Sequence, residues 1–100
     1  MVDKILNYKK QPEDDFYAIL GCDELSTTEQ ILAEYKIRVM QLHPDKFPGD
    51  ESKTELFARM QRAKEVLTDT KLRKDYDTWR HSGLAIGYTE WTANKEISHA

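Results

Sequence analysis

Cysteine is almost missing from this chain: Cys22 is the only one in 100 residues. A single thiol excludes an intramolecular disulfide and a cysteine-rich zinc module, and it fits a reducing compartment. Long apolar runs are missing too. The start, "MVDKILNYKK", lacks the hydrophobic stretch of a signal peptide, and no segment is long enough to span a bilayer. The expectation is a soluble cytoplasmic protein. Alternating β pattern, internal repeats and low-complexity runs are absent as well. The chain has little excess charge of either sign, with a formal net of -3. A duplex nucleic-acid binder draws most of its affinity from phosphate neutralisation and so carries a strong basic excess.

What is present suits one small helical domain. Hydrophobic residues make up 39% and charged residues 33%, too apolar for wholesale disorder and well suited to a solvated surface. The charge is unevenly spread. Residues 1–30 hold three basic and seven acidic groups, whereas residues 53–80 hold eight basic and five acidic. A local basic face in the second half is therefore compatible with the acidic total.

Breakers and periodicity divide the chain. Residues 1–13 are polar and interrupted by Pro12, which suggests a flexible or loosely docked leader. In "DDFYAILGC", Asp14 and Asp15 suit a helix N-terminus, Phe16, Ile19 and Leu20 follow at helical spacing, and Gly21 suits the exit. Ser26 and Glu29 match an S-x-x-E capping box ahead of a long helix. Ile31, Tyr35, Val39 and Leu42 then form one stripe. Pro44 disfavours helical geometry at His43, so this helix ends near Leu42. Residues 43–52 form a loop, with Pro48-Gly49 as a turn signal. "TELFARMQRAKEVLT" predicts a third helix, with Leu56, Phe57, Met60, Ala63 and Leu67 on one face and Arg59 and Arg62 away from it. "DTKLRKDYDTWR" predicts a fourth, capped by Asp69. The last stretch has weak periodicity and is expected to be a partly ordered tail. A ten-residue connection suits antiparallel neighbours, so the expected fold is all-α: a helical hairpin flanked by short helices.

These landmarks resemble a J domain, the signature module of DnaJ-like co-chaperones. The resemblance covers about residues 14–79 and rests on "DFYAILG", a capped helix, "HPDK" and "FARMQRAKEVLTDTKLRKDYD" in that order. The stretches "ILNY", "LGCDELS", "ILAEYK" and "YDTWR" resemble a short cytosolic subfamily with an N-terminal J domain and a soluble C-terminal extension. Proteins like these are associated with aromatic amino acid hydroxylases as clients. The resemblance implies a domain over 14–80 between the leader and a tail over 81–100. It also implies binding to the ATP state of a seventy-kilodalton heat-shock chaperone and stimulation of its ATP hydrolysis, with no hydrolysis, cofactor or metal of its own.

Read as chemistry, His43 and Asp45 look like an acid–base pair. Catalysis needs a nucleophile or a substrate pocket as well, and a short hairpin offers little concavity. A metal site needs three or four ligands at compact spacing, and His81 and His99 fall in segments with no firm helical pattern. The loop reads better as a recognition hook. Pro44 fixes the chain angle, Asp45 offers a carboxylate to an arginine, and His43 both donates and accepts. Lys46 adds charge beside them.

The second helix supplies the other contact the resemblance implies, through Lys36, Ile37, Arg38, Met40 and Gln41. Many J domains carry basic residues at the positions of Leu32, Lys36, Ile37 and Gln41, and here only Lys36 is basic. Arg38 stands where the family usually has a core leucine, and its guanidinium is expected to reach water while its stem covers the core. Ile37 and Met40 fall on the outward half of the wheel, which predicts a docking face of weak salt dependence. Lys71, Arg73 and Lys74 match the basic segment of the family's fourth helix, as a stabilising surface or a secondary contact. Phe16, Tyr17, Leu20, Tyr35, Leu42, Phe57, Met60 and Leu67 are the expected core. Trp79 is expected to pack on the bundle, and Trp91 is left open between packing and a client surface. Two rivals remain: a passive J-like scaffold with little ATPase stimulation, and a small helical nucleic-acid binder.

Overall fold

A computed structural model describes residues 15–99. The expected leader over residues 1–13 lies outside the described residues. Among the described residues five helices follow one another: α1 (Phe16–Ile19), α2 (Thr28–Leu42), α3 (Glu51–Leu67), α4 (Thr70–His81) and α5 (Tyr88–His99), with a short 3-10 turn over Pro44–Lys46. No strand occurs among the described residues, and none of their helices is long and apolar enough to cross a membrane.

Each helix start has a local cause. Asp15, Asp50 and Asp69 each accept a backbone N–H three residues on, from Ala18, Lys53 and Leu72. Those N–H groups have no partner within their own helices, so a side-chain acceptor stabilises each start by about 1 kcal/mol. The capping box of α2 lies one residue later than its expected place at Ser26 and Glu29. Thr27 Oγ1 accepts from Gln30 N at 3.1 Å, and Gln30 Oε1 accepts from Thr27 N at 2.8 Å. Both registers fit the pattern. Ser26 is occupied elsewhere: its hydroxyl accepts from Asp23 N and its carbonyl from Arg73.

α1 is a single turn, too short to persist by itself. Tertiary contacts hold it. Tyr76 Oη accepts from Phe16 N at 3.0 Å, and Phe16 and Tyr76 stack at 4.8 Å. The turn exits through Gly21 at φ 66, the left-handed region that side chains disfavour.

α3 is the central element, packing against α1, α2 and α4. Phe16, Tyr17, Leu20, Ile31, Met60, Ala63, Val66, Leu67, Tyr76, Trp79 and Tyr88 form one buried cluster. Tyr35, Leu42 and Phe57, expected inside, are only half-buried. Toward the loop the hairpin is two helices thick, and α1 and α4 cover only its other end.

The segment expected to be a partly ordered tail carries α5. Tyr88 is its deepest anchor, with Trp91 packed against the core beside it. Tyr88 is 3% exposed, with its ring 5.1 Å from Tyr76 and 5.6 Å from both Phe16 and Trp79. Trp79 Nε1 donates to the Ile86 carbonyl at 3.0 Å, fixing the connection before the helix. Lys95 meets Asp75 at 2.8 Å, and Arg62 donates to Thr89 at 2.9 Å. Trp91 is half-buried beside Tyr88. Two packed aromatics with polar ties are too short a stripe for periodicity to detect.

Candidate functional site

α2 ends at His43, whose backbone turns to φ -55, ψ 135 ahead of the proline. Pro44 opens the 3-10 turn, where its missing N–H costs nothing and its ring presets φ. Lys46 N donates to the His43 carbonyl at 2.9 Å and Phe47 N to the Pro44 carbonyl at 3.2 Å. The backbone of His43-Pro44-Asp45-Lys46 is thus closed on itself.

The His43 imidazole faces inward along this turn. Nδ1 accepts from Asp45 N at 3.2 Å, which puts the proton of the neutral ring on Nε2. The Asp45 carboxylate lies 3.5 Å from the same Nδ1. The ring meets Phe57 of α3 edge to face, with centroids 6.0 Å apart and planes at 76°. Phe57 was expected only as core. Fourteen positions separate it from His43, so no local pattern connects the two. Nearby, Lys53 Nζ lies 5.3 Å from the Phe47 ring centre, covering the descent into α3.

Exposure separates the roles. The His43 side chain is 49% exposed, whereas that of Asp45 is 91% exposed. The carboxylate therefore stands out from a turn whose backbone is already ordered. This geometry suits a charge-assisted contact with a guanidinium on another protein. Among the described residues no group of three or more His, Cys, Asp or Glu side chains is placed to hold a metal ion.

The outward side of α2 continues from this hook. Lys36, Ile37, Met40 and Gln41 are exposed, with Ile37 at 53% and Met40 at 70%. The Arg38 side chain is 38% exposed and is also tied to the fold. Its Nε donates to the Leu20 carbonyl at 3.0 Å and its guanidinium pairs with Glu34 at 3.7 Å. It lies across Gly21, where an added Cβ would sit 2.0 Å from the guanidinium nitrogen. Arg38 thus closes the end of α1.

Arg73 is turned inward. Its guanidinium donates to Tyr17 Oη at 3.1 Å and to the carbonyls of Glu24 and Ser26 at 3.1 and 2.7 Å. Tyr17 Oη donates to Asp77 at 2.5 Å. Burial, with this bond to a carboxylate, pushes the Tyr17 hydroxyl well above its ordinary pKa. Lys71 and Lys74 stay exposed. Lys74 lines an open groove of 620 Å³ with Thr28, Asp69, Arg73, Asp77 and His81. This groove runs along α4 and the turn before it, with Thr28 of α2 on its rim, about 22 Å along α2 from His43 at 1.5 Å per residue.

An N-terminally capped hairpin, a short α1 stacked on α4, and a His-Pro-Asp turn between the long helices define a J domain. The sequence profile of the DnaJ domain family matches residues 15–77, and the chain belongs to that family. Among curated relatives, a J domain-containing protein of Manduca sexta is 52% identical over 95 residues, covering 95% of this chain and 56% of that protein. DnaJ homolog subfamily C member 12 of Homo sapiens is 47% identical over 92 residues, covering 92% of this chain and 46% of that protein. The chain therefore spans about half the length of the curated relatives it matches. The solution structure of the J-domain from human DnaJ subfamily C member 12 superposes with a TM-score of 0.78 at 45% identity, covering 96% of this chain and 86% of that one. A J-Trx1 fragment of ERdj5 superposes with a TM-score of 0.61 at 38% identity, covering 69% of this chain and 34% of that one.

Proposed function

We propose that this J domain acts as a co-chaperone module: it binds a seventy-kilodalton heat-shock chaperone in its ATP state and stimulates ATP hydrolysis there. One observation carries the reading. The Asp45 carboxylate is 91% exposed on a turn closed by Pro44 and braced by His43. A preordered hook loses little conformational freedom on docking. Asp45 meets an arginine, Lys46 adds charge, and His43 holds the turn and presents Nε2. Lys36, Ile37, Met40 and Gln41 extend the contact along α2, whereas Arg38 and Arg73 act through the fold. Lys71 and Lys74 form a secondary contact. The module works in the cytoplasm, and its client is an aromatic amino acid hydroxylase.

Single-turnover ATP hydrolysis by a cytosolic heat-shock chaperone of the seventy-kilodalton class tests the central claim. The wild-type domain should raise the rate, and His43→Gln or Asp45→Asn should remove about 2 kcal/mol or more of coupling, a loss of thirtyfold or greater at subsaturating domain. A second reading, a passive docking scaffold, is favoured by the sparse basic character of α2. It is the result if the wild type binds without raising the rate.

A further inference from the structure

We propose that His43 is a pH switch for the hook: the neutral imidazole holds the Asp45 amide and leaves the Asp45 carboxylate outward, and the imidazolium releases the amide and draws that carboxylate back. The inference rests on the reading of His43-Pro44-Asp45 as the chaperone hook, and it adds a condition under which the hook is presented.

The geometry around one nitrogen carries it. His43 Nδ1 accepts from Asp45 N at 3.2 Å, and the Asp45 carboxylate lies 3.5 Å from the same atom. Two parts of one residue thus compete for Nδ1, and its protonation decides between them. A neutral ring with its proton on Nε2 offers Nδ1 as an acceptor, which suits the amide and not the carboxylate. A protonated ring carries N–H at both positions and accepts nothing. Nδ1–H then opposes the Asp45 N–H and becomes a charge-assisted donor to the carboxylate. That carboxylate turns from solvent, where its side chain is 91% exposed, toward the ring. An oxygen engaged there is lost to a partner's guanidinium. The turn itself survives, because the bonds from Lys46 N to the His43 carbonyl and from Phe47 N to the Pro44 carbonyl do not involve the ring.

The surroundings leave this exchange to His43 and Asp45. Val39, Met40, Gln41 and Leu42, the last turn of α2, carry no charge. On the 3-10 turn the other charged group is Lys46, which is exposed. From α3 the ring meets Phe57 edge to face. One turn before Phe57, Lys53 lies over the Phe47 ring. Asp50, ahead of α3, is engaged by Ser52 Oγ and Lys53 N. The His43 side chain is half exposed, so solvent protons reach it.

Two measurements between about pH 5.5 and about pH 8, the range in which imidazole changes charge, test the switch. Imidazole nitrogen shifts of the folded domain follow His43, and backbone amide shifts follow Asp45. The two should titrate together with one midpoint. In His43→Asn, whose side-chain oxygen accepts the Asp45 amide at any pH, the Asp45 amide should stay level. ATP hydrolysis by a purified cytosolic chaperone of the seventy-kilodalton class is the second readout, with each rate divided by that of the chaperone alone at the same pH. Stimulation by subsaturating wild-type domain should fall about fivefold from the alkaline to the acid end, the loss of about one hydrogen bond's worth of order in the hook. Circular dichroism should be unchanged throughout. An Asp45 amide that ignores the His43 titration, or that titrates equally in His43→Asn, overturns the proposal. So does stimulation that is level across the range, or that falls only with loss of helix. No stimulation at the alkaline end is a separate result: the hook reading itself falls, and the switch with it.

Discussion

Phe57, outside the hook, controls how it is held. Phe57 packs its ring against the His43 imidazole, whose Nδ1 accepts the Asp45 amide. Removing the ring frees the imidazole to rotate and loosens the turn. Phe57→Leu should keep the hairpin folded yet lower ATPase stimulation several-fold. Imidazole nitrogen chemical shifts should then show His43 averaging between tautomers, where the wild type holds one. Unchanged shifts would mean that Pro44 alone holds the turn. At Gly21, a φ of 66 and the Arg38 guanidinium across it leave no room for a methyl group. Gly21→Ala should cost about 1–3 kcal/mol in urea denaturation, because left-handed strain and a displaced Arg38 add together.

At the scale of helices, polar ties add to the aromatic packing between α1 and α4. Arg80 bridges Asp15 and Glu24, each at 3.2 Å, and His81 Nε2 reaches Glu24 at 2.5 Å. Arg73 ties α4 to the two carbonyls that precede α2. These partly exposed pairs each contribute little, and their value lies in fixing orientation. α5 depends on burial instead. Tyr88→Ala removes a ring packed against Phe16, Tyr76 and Trp79, and should cost about 3–4 kcal/mol. The effect should reach past α5: hydrogen exchange should accelerate in α1 as well, because Phe16 loses its cover. Protection unchanged in α1 would mean that Tyr76 alone holds it.

For the whole molecule, the two ends do different work. The hairpin loop carries the hook, and the opposite end gathers α1, α4 and α5 around buried tyrosines. Burial raises the hydroxyls of Tyr17, Tyr76 and Tyr88 above their ordinary pKa of 10.0, Tyr76 to about 12. Each is favoured as the neutral form in the fold. Below pH 10 this contribution is fully present, and it is lost as pH rises from 10 toward the folded values. Asp75 behaves oppositely: its bond to Lys95 holds the carboxyl below its ordinary range, so that contribution is lost as pH falls through the folded pKa. Thermal melts should therefore stay level near neutrality and drop steeply above pH 10. A melt unchanged at pH 11 would contradict the burial of these hydroxyls.

Local chemistry determined much of this protein before any packing. Stripes in α2 and α3, the aspartate caps and the break at Pro44 are short-range features, since helical spacing and missing N–H groups act within a few residues. They placed a His-Pro-Asp turn between two helices, which is the candidate site itself. Tertiary structure decided the rest. It tied the Ser26 carbonyl to Arg73 beside the Thr27 cap. It drew Arg38 onto the Leu20 carbonyl and set Phe57 behind His43. It ordered α5 through Tyr88, which has no stripe of its own. In each case the deciding partner lies well outside the local helical repeat, beyond the reach of any pattern of spacing.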